Sequence, residues 1–152
     1  MADADPGLTA RLQKWADGKA TLKEVRGYSD EELFSIARTG YFFYYQGKLA
    51  EARTVFQGLY AIDPLEPYFA KALGVVEMAS GNTAGALAAY DVALRISPDD
   101  SSAYVGRAEV KLAQGQRTAA IEDLRQAEKA VSDADEALKS KILAMLESLS
   151  RK

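Results

Sequence analysis

Two acidic clusters, Asp99-Asp100 and Asp133/Asp135/Glu136, put carboxylates close enough in sequence to coordinate a cation or to share a proton as acid and base. Both stand where a helix is expected to begin, and capping of free backbone N–H groups explains a carboxylate there without a ligand. The stretch Gly81-Asn82-Thr83-Ala84-Gly85 is glycine-rich but lacks the lysine that follows in a phosphate-binding loop. The sequence holds no histidine and no cysteine, so it offers no imidazole proton shuttle, no thiolate, no usual zinc ligand set and no disulfide. Carboxylate, lysine, tyrosine and serine chemistry is left, and no constellation of these groups suggests a reaction. The expectation is a protein that is not an enzyme, with no metal, no cofactor and no small-molecule substrate.

The elements that position the remaining side chains are set by a period of 34 residues, running most clearly from Gly40 to Pro98. Gly40 is answered by Gly74, Gly47 by Gly81 and Gly115, Ala52 by Ala86 and Ala120, Phe56 by Tyr90 and Leu124, and Pro64 by Pro98. This is the tetratricopeptide length. Two antiparallel helices that cross closely need Gly or Ala at the crossing, which Gly40, Gly74 and Ala108 supply on the first helix of each pair. Ala52, Ala86 and Ala120 supply it on the second. Phe56, Tyr90 and Leu124 fill the wedge between pairs, and Pro64 and Pro98 end the second helix. Three units follow, 33–66, 67–100 and 101–134, the third being the weakest match, with Arg107 where Leu73 stood and Ser132 in place of the proline. The fold class is all-α, a tetratricopeptide-repeat array of three helix pairs with a leading N-terminal helical segment and a C-terminal capping helix. Helices are predicted near 30–46, 49–62, 67–80, 83–96, 101–114, 117–131 and 134–149.

The 152 residues, 48% hydrophobic and 27% charged, suit a soluble single core, and no run is long and apolar enough for a membrane span. A net charge of −3 without a dense Lys/Arg cluster argues against nucleic acid and anionic membrane as partners. Met1 to Gly7 has neither the basic region nor the apolar run of a secretory signal, so a cytoplasmic location is expected. Residues 1–28 read as an arm. Leu8, Leu12 and Trp15 form one stripe of a short helix, Asp17-Gly18 breaks it, and Thr21 with Glu24 has capping-box spacing. The stripe needs a cover, either its own repeats or a second copy. Ser29 with Glu32 opens the repeats at 29–134, and residues 135–152 carry the capping helix, with Leu138, Ile142, Met145 and Leu149 on one face.

Stacked helix pairs make a concave surface lined by the first helix of each pair, of the kind that binds extended peptides. Equivalent inward positions are Ala37, Lys71 and Val105; then Tyr41, Val75 and Glu109; then Tyr44, Met78 and Leu112, with Tyr45 and Tyr68 beside them. Phe43 is expected in the core. The tyrosines and the methionine suit a peptide's leucine and proline side chains, bringing large area at low entropy cost and a shape that adapts.

Leu33, Ala37, Gly40-Tyr41, Tyr44, Gly47, Ala52, Val55-Phe56-Gln57, Leu59, Ile62-Asp63, Tyr68-Phe69 and Leu73-Gly74 together give a more particular likeness. On these residues the chain resembles the class II, tetratricopeptide chaperones of bacterial type III secretion, densest from Leu22 to Gly81 and looser to the closing helix. The resemblance implies a cytoplasmic, non-enzymatic chaperone whose groove holds an extended segment of a hydrophobic translocator protein. It implies Tyr41, Tyr44, Tyr68 and Met78 as groove residues, and a homodimer through the leading helices, where Leu8, Leu12 and Trp15 would make the contact. A general tetratricopeptide scaffold in another bacterial assembly is the second hypothesis. A clamp for a C-terminal carboxylate is rejected, because Ala37 and Tyr41 stand where it needs lysine and asparagine.

Overall fold

The computed structural model describes residues 6–151, with the backbone alone at Pro6. Residues 1–5, which carry most of the segment read above for a missing signal, lie outside the described residues. Helices α1 (Pro6–Ala16) and α2 (Leu22–Arg26) lead into three pairs: α3 (Asp30–Tyr45) with α4 (Leu49–Ile62), α5 (Pro67–Ala79) with α6 (Thr83–Ile96), and α7 (Ser101–Ala113) with α8 (Arg117–Ala130). The closing helix is α9 (Glu136–Ser150). The described residues fall into two compact units, divided between Leu65 and Glu66.

Helix starts are fixed by local chemistry. Thr21 and Ser29 each accept a hydrogen bond from the backbone of the glutamate three residues on, at 3.2 and 3.1 Å, and each glutamate side chain returns to the cap N–H. Asn82, Asp100 and Asp135 cap α6, α7 and α9 through the N–H of Gly85, Ala103 and Leu138. Helix α9 therefore starts at Glu136 and not at 134, since Ser132 takes the Ala134 N–H in a turn and leaves Asp135 to cap. Gly47, Gly81 and Gly115 have φ of 77°, 80° and 75°, the left-handed conformation in which the chain reverses from one helix of a pair into the next. Asp63 and Ser97, each before a proline, have left helical geometry at φ −132°.

The crossings are tight where the period puts small residues. A Cβ on Gly40 would lie 2.7 Å from Phe56 Cζ, and one on Gly74 2.8 Å from Tyr90 Cε2. Tyr90 is buried and also faces Gly106, so its ring is clasped between α5 and α7. Val105, Ala108, Ala120, Leu124 and Ala127 of the third pair form one buried cluster with Ile142 of α9, against which Leu138, Met145 and Leu149 of the same helix also pack. Arg117 anchors the end of α9 by donating to the Leu149 and Arg151 carbonyls.

Three expectations are corrected by burial. Ala37 and Val105 are 1% and 3% exposed and belong to the core, Val105 in one buried cluster with Leu124 and Ile142. Phe43 is half-buried instead of buried, with the Lys48 ammonium 5.9 Å from its ring centroid. A residue the period did not flag is Phe42, 61% exposed although Val76 and Val110, 34 and 68 residues on, are 0% exposed.

Candidate peptide-binding face

On α3 a row of aromatic side chains stands on buried Phe56. The Tyr41 ring packs edge-on against Phe56 at 5.0 Å, stacks with Tyr45 at 6.3 Å and meets Tyr44 at 6.5 Å, and Tyr44 lies 5.3 Å from Tyr45. Tyr41 and Tyr44 are half-buried and Tyr45 is 81% exposed, so the cluster offers ring faces and edges to solvent while its base is fixed. Helix geometry brings them together: residues three and four apart share a side of the helix.

In the second unit Tyr68, Lys71, Val75 and Met78 fall at intervals of three, four and three on α5, and all are half-buried. Glu109 and Leu112 continue that face on α7, also half-buried. Both charges are answered. Lys71 Nζ is 2.8 Å from Asp100 Oδ2, and Glu109 accepts from Lys141 of α9 at 2.7 Å. Burial pushes the Asp100 carboxyl up, but hydrogen bonds from Lys71 and Ser102, the Lys71 charge and the Ala103 N–H outweigh it and hold it below its ordinary value. The surface is thus apolar and amphipathic, with its ions paired.

Of the residues expected on the face, Ala37 and Val105 are withdrawn into the core, and the others keep accessible surface: Tyr41, Tyr44 and Tyr45 in one unit, Tyr68, Lys71, Val75, Met78, Glu109 and Leu112 in the other. Phe34, half-buried, and Ser102, exposed, occupy the register of Tyr68 in the first and third copies, positions that the 34-residue period identifies. Arg107, which had looked like a lapse from the repeat, is a structural group: it binds Asp91 of α6 at 3.0 Å and Asp123 of α8 through two bonds of 2.8 and 2.7 Å, with Lys111 2.8 Å from Asp123. The Asp123 carboxyl is driven up by burial yet held lower by Arg107 and Lys111.

Leu12 and Trp15 are 41% and 46% exposed on α1, and Leu8 is half-buried. Arg11 ties α1 down by donating to the Val25 carbonyl at 3.1 Å. Among the described residues no group of three or more acidic side chains is placed to hold a metal ion, and no helix is long and apolar enough to cross a membrane.

Two sequence models of the tetratricopeptide repeat match the chain, over residues 38–101 and 77–146. No curated protein sequence matches it. Among solved structures, the fold is similar to the type III secretion translocator chaperone SycD of Yersinia enterocolitica, with TM-score 0.81, 23% identity, and coverage of 85% of this chain and 98% of that one. A type III secretion complex from Aeromonas hydrophila gives 0.80 at 26% identity, covering 95% of each chain. PcrH, a protein of Pseudomonas aeruginosa, in complex with the chaperone-binding region of PopD gives 0.75 at 25% identity, covering 82% of this chain and 95% of that one.

Proposed function

The chain is a tetratricopeptide-repeat protein over residues 38–146, and from that premise we propose that it is a cytoplasmic, non-enzymatic chaperone of type III secretion. Its client is a translocator-type protein, held by an extended hydrophobic segment against the first helices of the pairs. Residues 1–28 are an arm, 29–134 the peptide-binding repeats and 135–152 the cap. The observation that carries the reading is the half-buried tyrosine, valine, methionine and leucine side chains at two registers of the repeat, Tyr41 with Val75 and Tyr44 with Met78 and Leu112. A solvated scaffold would place charge there, and the two charges present are spent on neighbours.

The mechanism needs no chemistry beyond association. Tyr41, Tyr44, Tyr45, Tyr68, Val75, Met78 and Leu112 keep a membrane-seeking segment out of water, which suppresses its aggregation until release. Titration calorimetry with a translocator segment tests this. Tyr44→Ala and Met78→Ala should each weaken binding by about 2 kcal/mol or more if these side chains are anchors in desolvated pockets. Unchanged affinity in both variants would remove the binding face. Leu8, Leu12 and Trp15 then serve a contact between two copies, since the SycD structures include a form named as an alternative dimer. Deleting residues 1–20 should lower the sedimenting mass to that of a monomer; an unchanged mass assigns α1 to capping.

A further inference from the structure

Lys71 is the charged member of the α5 row, and its surroundings give its ammonium a fixed position. Nζ lies 2.8 Å from Asp100 Oδ2 and donates to Ser102 Oγ at 3.0 Å, while Ser102 Oγ donates to Asp100 Oδ1 at 2.8 Å. Asp100 is itself held by the Ala103 N–H at 3.1 Å, as the cap of α7. The three side chains close a ring that joins the start of α7 to the middle of α5. Lys71 and Asp100 keep only 26% and 14% of their side-chain surface, so the ring is not a loose surface pair.

An ammonium has three N–H donors and no acceptor. Two are directed at Asp100 and Ser102, which leaves one. The ring as a whole is neutral, because the Asp100 carboxylate cancels the lysine charge. A carboxylate brought to the third donor would meet Asp100 at close range and be repelled, whereas a neutral carbonyl oxygen would not. The neighbours on the row, Tyr68, Val75 and Met78, supply area and little direction. Apolar contact alone does not set the register of an extended chain, whose side chains alternate, so that a slip of one residue exchanges the set facing the row. Sites of this kind fix orientation with a few placed polar groups.

We propose that the third Lys71 donor binds one backbone carbonyl of the client segment and so fixes the register of that segment along α5. The ring selects a neutral acceptor over a carboxylate, and Lys71 is a specificity-determining residue of the binding face. This rests on the client-peptide reading above.

The probe is a synthetic peptide of the PopD chaperone-binding region, measured against the full chain by calorimetry, together with analogues that replace one backbone amide at a time by an ester. The ester carbonyl is a weaker acceptor. Wild type should bind the parent peptide, and one analogue should lose affinity. Lys71→Met, which keeps the stem and removes the donor, should weaken the parent by about tenfold or more, as for a hydrogen bond from a charged group. It should be insensitive to that one ester and no other. Ser102→Ala, which loosens the ring and keeps the donor, should lose less and stay sensitive to the same ester. Circular dichroism melts of both variants separate a folding defect from lost binding, and a destabilised Lys71→Met is then compared in the folded range only. Wild-type binding with an unchanged Lys71→Met affinity, or with every ester costing the same in both proteins, overturns the register role and leaves the chaperone reading standing. No binding by wild type overturns both.

Discussion

Helices α3 and α7 are the same element of the repeat, each the first of its pair, yet they are held by different forces. Helix α3 sits on Phe56 through Gly40 and carries an aromatic row, and its outward residue Phe42 is exposed. Helix α7 reaches its neighbours with charge: Arg107 takes one carboxylate from α6 and another from α8, and its residue Val110 is 0% exposed. A common backbone period therefore prescribes where side chains stand, while the chemistry between helices differs copy by copy. In the first unit the crossing of α3 and α4 is apolar, Gly40 against Phe56. In the second, a buried carboxylate is part of the join.

The largest expected difference follows from that carboxylate. Asp123→Ala strips Arg107 and Lys111 of their shared partner inside the second unit, and should destabilise on the order of 3 kcal/mol, near the lower end for a broken buried pair because Arg107 keeps some exposure. Urea unfolding followed by circular dichroism measures it, and a loss below about 1 kcal/mol would mean that charge is not what joins α7 to α8.

Acid gives the same contrast without mutation. The folded Asp123 carboxyl lies below its ordinary value of 3.8, so its contribution is complete above that pH and is lost as pH falls through the lower folded value. Arg107, pushed up from an already high value, stays charged throughout and adds no pH dependence of its own. Amide hydrogen exchange between pH 5 and 3, corrected for the intrinsic rate, should lose protection in α7 and α8 before α3 and α4.

Equivalent positions then sharpen the comparison. Val110→Ala should cost about 2 kcal/mol, and the larger truncation Phe42→Ala less than about 0.5 kcal/mol, because only the first removes buried surface. Thermal melts of the two variants decide it, and equal losses would show Phe42 to be covered in solution. Between these two falls Ser29→Ala, which removes one half of the capping box at the start of α3 and should cost about 1 kcal/mol.

Most of the helix ends were legible in the sequence, since caps and punctuating residues act locally. Thr21 with Glu24, Ser29 with Glu32, Pro64, Pro98 and the recurring glycines each fix a backbone conformation within a few residues, and the predicted helices from 30 to 131 match the observed ones to within one residue at each end. The proposed binding face is legible in the sequence as a register and not as a surface. Whether Ala37 or Val105 faces solvent depends on what lies across from it, and Val105 shares a buried cluster with Ile142, which stands on a helix that the repeat period does not predict. Arg107 was read as a departure for the same reason: its partners stand 16 residues away on either side, and nothing local announces them.

The three turns at Gly47, Gly81 and Gly115 make the chain's handedness a local variable. Each takes a backbone that a mirror-image amino acid prefers and an ordinary one resists by about 1–2 kcal/mol, and a Cβ built on any of them meets nothing within 4 Å. A D-alanine introduced there by chemical synthesis would take that backbone without the strain an ordinary residue meets, and would narrow the disordered chain's choices. Three inversions of chirality, at points 34 residues apart, would leave the helices right-handed and the protein harder to unfold.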